Sequence, residues 1–137
     1  MTTDTASSPI AAPTDSSPSP EIAAWRKAER ARLIEARLAI PADARSHMAE
    51  EIAQGLDVVI GPIDGRMVSL YWPFRGEFDP RSSMADIVAR GGRTALPVVV
   101  ERAQPLVFRA WQAGERLEKG VWNIPVPAEG GPVLPDI

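Results

Sequence analysis

The chain has 137 residues, 45% of them apolar and 24% charged, with a formal net charge of −3, no cysteine and a single histidine. That length holds one domain with a feasible buried core, and the mild acidity gives no global attraction to nucleic acid or anionic membrane. Without cysteine there is neither a disulfide framework nor a thiolate metal site, and His47 alone leaves almost no scope for a multi-histidine one.

Residues 1–19, MTTDTASSPIAAPTDSSPS, lack the apolar side chains that offset ordering entropy, so a disordered tail is expected there. They hold no Lys or Arg and no apolar run of secretory length, which argues against a signal or transit peptide. No stretch approaches the ~20 apolar residues of a membrane span, and the expected address is the cytoplasm. A helix should open at Ser19-Pro20-Glu21: Ser19 suits a cap, Pro20 the first helical position, and Glu21 the positive end of the dipole. Along AAWRKAERARLIEARL, the residues Ile22, Trp25, Leu33 and Ala36 mark an apolar face. Pro41 begins a second helix, PADARSHMAEEIAQGLDVV, whose expected buried stripe is Met48, Ile52 and Leu56. Gly61-Pro62 and Asp64-Gly65 then punctuate a turn.

From there the pattern changes to α/β. MVSLYW (67–72) is an almost unbroken apolar run of β-formers, as in a strand covered on both faces. A polar loop, PFRGEFD, follows. Residues 80–90 read as a short helix terminated by Gly91-Gly92, and TALPVVV (94–100) as the next buried strand. Strand, helix and strand in this order make a crossover unit of a parallel sheet. LVFRAW (106–111) reads as a third strand and GVWNIPVP as an irregular, proline-bounded segment. After Gly130-Gly131-Pro132 comes VLPDI, a strand begun and not finished or, alternatively, an end in a loop.

Two clusters are candidates for chemistry. On the first helix Arg26, Arg30 and Arg37 fall within about 40° of one another at 100° per residue, with Lys27 and Arg32 nearby. Guanidinium groups a turn apart can grip phosphate oxygens; the alternative is a solvated face with Glu29 and Glu35 as partners. The second cluster is the loop Tyr71, Trp72, Pro73, Phe74, Arg75, Gly76, Glu77, Phe78 and Asp79. Ligands of open parallel sheets sit beyond the carboxyl ends of strands, so this loop suits a flat heterocycle, with Glu77 accepting from ring N–H groups. The alternatives are an aromatic turn packed on the domain, and Asp79-Pro80 as a simple helix cap. His47 lies on a polar flank and reads as a surface residue. Trp111 and Trp122 read as core or rim, with a ligand cleft as the alternative. No GxGxxG or GxxxxGK[ST] pattern is present.

Taken in order, WRKAERARLIEARLAIP, VSLYWPFRGEFD, ALPVVV, LVFRAW with LEKGVWNIPVP, and VLPDI resemble segments of the 5-formyltetrahydrofolate cyclo-ligase family (5,10-methenyltetrahydrofolate synthetases), over roughly residues 25–137. The resemblance implies a three-layer α/β domain over residues 20–137 with a mostly parallel sheet, here missing its C-terminal strands. It implies ATP-dependent conversion of 5-formyltetrahydrofolate to 5,10-methenyltetrahydrofolate, with ATP and magnesium as cofactors, by a monomer that binds neither nucleic acid nor membrane. Arg26 and Arg30 match the family's ATP-contacting basic positions. Arg26 stands where lysine is usual, so Lys27 is an alternative first contact. Trp72 and Glu77 match the folate-contacting positions, and no conventional nucleophile is implied. The family's glycine-rich loop with Tyr-Tyr-Asp, which cradles the triphosphate and helps hold magnesium, is absent from the sequence, so this chain alone is expected to be inactive. The competing readings are a non-catalytic α/β module that binds a folate or a protein, and a non-functional fragment.

Overall fold

The computed structural model describes residues 17–137, so most of the expected disordered tail, residues 1–16, lies outside the described residues. The chain divides between Leu33 and Ile34 into two units. Helix α1 (Pro20–Leu38) opens as its sequence dictates: the Ile22 N–H donates to Ser19 Oγ at 3.3 Å and the Ala23 N–H to the Ser19 carbonyl at 2.9 Å. Capping of this kind satisfies N–H groups that have no partner inside the helix. The expected apolar face of α1 is not buried. Ile22, Trp25 and Leu33 are all exposed, Trp25 by 65%.

Helix α2 (Ala42–Ile60) follows Pro41 and stops at Gly61, whose N–H donates to the Asp57 carbonyl at 3.1 Å. Here too the expected stripe is corrected. Met48 and Ile52 are exposed, whereas Ala49, Ala53, Leu56 and Ile60 form the half-covered side. Spacing says which side chains share a face, but not whether another element is there to cover it.

Strand β1 (Met67–Ser69), helix α3 (Arg81–Ala89) and strand β2 (Arg93–Val98) make the expected crossover, with β1 and β2 parallel from Met67↔Arg93 to Ser69↔Ala95. The strand expected over 67–72 is shorter because the backbone turns away after Leu70, whose N–H still donates to the Ala95 carbonyl at 3.1 Å. Asp79 Oδ1 accepts the Arg81 N–H at 3.0 Å and so starts α3. Behind the helix, Gly91 takes φ +88° and Gly92 lies against Ile87 and Ile63. A side chain on Gly91 would meet Asp64 Oδ1 at 2.5 Å, which accounts for the glycine pair.

The remaining sheet is not parallel. Strand β3 (Val107–Ala110) pairs antiparallel with β2, and β6 (Pro132–Val133) antiparallel with β3, giving a mixed sheet of order β1-β2-β3-β6. Only residues 99–106 join β2 to β3, too few for the crossover that a parallel pair needs. The segment expected to be irregular is a ribbon: β4 (Leu117–Lys119) pairs antiparallel with β5 (Pro125–Pro127) across a tight turn at Val121–Asn123. Beyond β6 the chain runs along β1. The Ser69 N–H donates to the Ile137 carbonyl, the Asp136 N–H to the Met67 carbonyl, each at 2.8 Å, and Asp136 Oδ2 accepts the Met67 N–H.

The core lies between α3 and the sheet. Ile63, Val68 and Ile87 form one cluster, and Met84, Leu96 and Trp111 another. Buried Thr94 is satisfied by donating its hydroxyl to the Trp111 carbonyl. Among the described residues no helix is long and apolar enough to cross a membrane. Leu96→Ala should cost about 2–5 kcal/mol, because Leu96 is 1% exposed. Val59→Ala, at a position 84% exposed, should stay within ~0.5 kcal/mol. Urea unfolding of both variants checks this, and equal losses would contradict the placement of the core.

Candidate functional site

The candidate site is a cavity of about 530 Å³ in the second unit, within the range of small-molecule sites. One wall is the loop that leaves β1, with Tyr71, Trp72, Phe74, Glu77 and Phe78. Leu96, Pro97 and Val99 at the end of β2, and Val121, Ile124 and Val126 of the β4–β5 ribbon, also line the cavity. Trp72 and Glu77 are thus brought to one cavity. It sits beyond the carboxyl ends of the parallel strands β1 and β2, where open sheets hold ligands.

The loop is tied at several points. The Tyr71 hydroxyl donates to the Phe78 carbonyl at 3.0 Å, closing the loop at its base. At its tip Phe74–Glu77 is a tight turn in which the Glu77 N–H donates to the Phe74 carbonyl at 3.2 Å. Arg75 (φ +49°) and Gly76 (φ +73°) both adopt the left-handed backbone that this turn requires. The Phe74 N–H in return donates to Glu77 Oε2 at 3.0 Å. Arg37, at the end of α1, donates from Nε to the Arg75 carbonyl at 3.0 Å and also lines the cavity. Gly76 is fixed twice over, since a Cβ there would lie 3.1 Å from Leu38 Cδ2 and 3.2 Å from Arg45 Nη1.

Trp72 is held by its neighbours. Trp111 meets it edge-on at 5.7 Å between ring centroids, and the Arg81 guanidinium lies 5.2 Å from its ring. Arg81 is itself paired with Asp79, and this hydrogen bond holds the Asp79 carboxyl below its ordinary range. Burial first, and then the nearby Glu77 carboxylate, push the Tyr71 phenol above its usual value, so Tyr71 acts as a neutral donor. Trp111 belongs to the core. Trp122, 58% exposed at φ +56°, does not line the cavity. His47 is a surface residue beside Glu51.

Arg26, Lys27 and Arg30 lie in the first unit, exposed on α1, with Arg26 and Lys27 adjacent and Arg30 about a turn further on. Glu29, one partner considered for them, is instead paired with Arg32, which lowers the Glu29 pKa and raises that of Arg32. Three cations on a solvated surface fit phosphate oxygens by charge and donor type. Magnesium fares differently: among the described residues no three Asp, Glu, His or Cys side chains are grouped to hold a metal ion. The pattern of residues gave no warning of Arg37 as part of the cavity, because its bond to Arg75 spans 38 positions.

Gly76→Ala should displace the turn, since a positive φ alone costs about 1–2 kcal/mol for a residue with a Cβ. The expected readout is a shifted Trp72 indole NMR resonance and a comparable fall in stability; an unchanged resonance with wild-type stability would contradict the packing described for Gly76.

No protein-family model and no curated protein sequence matches the chain. Among solved structures, the chain is similar to the NMR structure of Aquifex aeolicus 5,10-methenyltetrahydrofolate synthetase, with a TM-score of 0.63 and 20% identity over 79% of this chain. The match takes in 54% of that protein, so the chain spans about half its length. What the two share, at this level of identity, is the α/β fold with its mixed sheet.

Proposed function

We propose that the chain is the folate-facing part of an ATP-dependent 5-formyltetrahydrofolate cyclo-ligase. The observation that carries this is the convergence of Trp72 and Glu77 on one cavity, in a fold shared with a protein named for 5,10-methenyltetrahydrofolate synthesis. Glu77 would orient the pterin ring by accepting from its N–H groups, and Trp72 would offer an apolar contact. ATP would meet the exposed cations Arg26, Lys27 and Arg30. In the proposed reaction the γ-phosphoryl group would pass from ATP to the formyl oxygen with release of ADP, the neighbouring side-chain nitrogen would attack the formyl carbon and give up its proton to solvent, and phosphate would leave with that oxygen as the ring closes.

Such chemistry is mainly positioning and charge stabilisation, which agrees with a cavity lined by one guanidinium, one carboxylate and aromatic walls. A glycine-rich phosphate loop is not part of the 137-residue sequence, and the surface cations cannot replace its convergent N–H donors. The chain by itself should therefore bind folate without turning it over.

Calorimetric titration with 5-formyltetrahydrofolate and, separately, with ATP tests the reading. Glu77→Gln should weaken folate about ten- to a hundredfold, the ~1.5–3 kcal/mol of a charge-assisted hydrogen bond, and leave ATP alone. Glutamine can still accept the Phe74 N–H, so the turn survives the change. Arg30→Ala should affect ATP first. An unchanged folate affinity in Glu77→Gln would sink the proposal.

A further inference from the structure

Arg37 spends only one of its nitrogens on the fold. Nε holds the Arg75 carbonyl, and among the described residues nothing accepts from its terminal nitrogens. The side chain is nonetheless half-buried and lines the cavity. A guanidinium carries five N–H donors in a planar fork, so four remain for a ligand. Glu77 is the counterpart. Oε2 takes the Phe74 N–H, and Oε1 accepts no hydrogen bond among the described residues. The end of α1 and the turn it holds therefore bring free donors and a free acceptor to the same cavity, and each group is anchored through its other atom.

We infer that Arg37 and Glu77 together read the 2-amino-4-oxo edge of a pterin ring, a deeper statement of the folate reading on which it rests. Glu77 accepts from the ring N–H and the 2-amino group, and Arg37 donates to the 4-oxo oxygen. Arg37 is then the residue that sets specificity at position 4. A 4-amino group in place of the oxygen turns N–H hydrogens towards guanidinium hydrogens, leaving both sets unpaired. Discrimination of this kind comes from the mismatch as much as from the match.

Folic acid and its 4-amino analogue aminopterin differ at this position and in the N3 hydrogen, which the 4-amino ring lacks. In titrations of the whole chain with each, it is therefore the change an Arg37 substitution makes in the preference between them that isolates position 4. The wild-type chain should bind folic acid about tenfold or more tightly than aminopterin. Arg37→Gln should lose about tenfold on folic acid and stay within about twofold on aminopterin, collapsing the preference. Arg37→Lys, which keeps the charge, should retain part of it, and unchanged Trp72 indole and Phe74–Glu77 amide NMR resonances in both variants would show the turn in place. Equal losses on both ligands would overturn the inference, because Arg37 would then only hold the turn or meet the carboxylate tail that both ligands carry. An absence of any preference in the wild type would overturn it as well. If the wild type bound neither ligand, the underlying folate reading would fail together with it.

Discussion

The Glu77 carboxylate accepts the Phe74 N–H at 3.0 Å, and the Arg37 guanidinium holds the Arg75 carbonyl at the same distance. These two bonds fix a turn whose two central residues occupy left-handed backbone, a conformation that a non-glycine residue such as Arg75 keeps only when its surroundings enforce it. The same two side chains supply the polar groups of the cavity. Because one end of each is tied to backbone, little side-chain entropy remains to be lost when a ligand arrives. The site is organised before it is filled.

The sheet puts that turn in place. β1 and β2 run parallel, Ser69 lying beside Ala95 and β2 continuing to Val98, so the loop after Leu70 and the residues after Leu96 open on one side. Trp111 links the two regions, packing with Met84 and Leu96 in the core and presenting its ring to Trp72. Its indole N–H donates to the Glu115 carbonyl at 3.1 Å, which satisfies the one polar atom of its side chain. A core residue thereby sets the position of a cavity residue, and loosening the cluster around Leu96 should be felt at Trp72.

Local signals served well where the physics is local. Ser19 and Pro20 start α1, Asp79 starts α3, the glycine pair ends it, and β1-α3-β2 forms the crossover. The loop that carries Trp72 and Glu77 was legible as the connection after an apolar strand, the two residues were singled out as a pair by the family resemblance, and the structure brings both to one cavity. The sheet was misread as mostly parallel because an apolar strand carries no mark of direction. Only the short connection over residues 99–106 shows that β2 and β3 are antiparallel. The β4–β5 ribbon was missed since prolines at 125 and 127 argue against a strand, yet this ribbon pairs on one edge only. The stripe expected on α1 is exposed, and on α2 only Leu56 of the expected three lies on the half-covered side, because exposure depends on what packs beside a helix. Arg37 stood out only as one of a row of cations, and a bond across 38 residues leaves no periodic trace.

The most direct test of the account is where a folate lands on the chain. Titrating the isotopically labelled protein with 5-formyltetrahydrofolate and following amide and indole resonances reports this residue by residue. The account predicts shifts in the Trp72 indole and in the amides of Phe74 to Glu77, with the exposed stripe of Met48 and Ile52 unmoved. Shifts centred on that stripe, or none at the turn under saturating ligand, would contradict it.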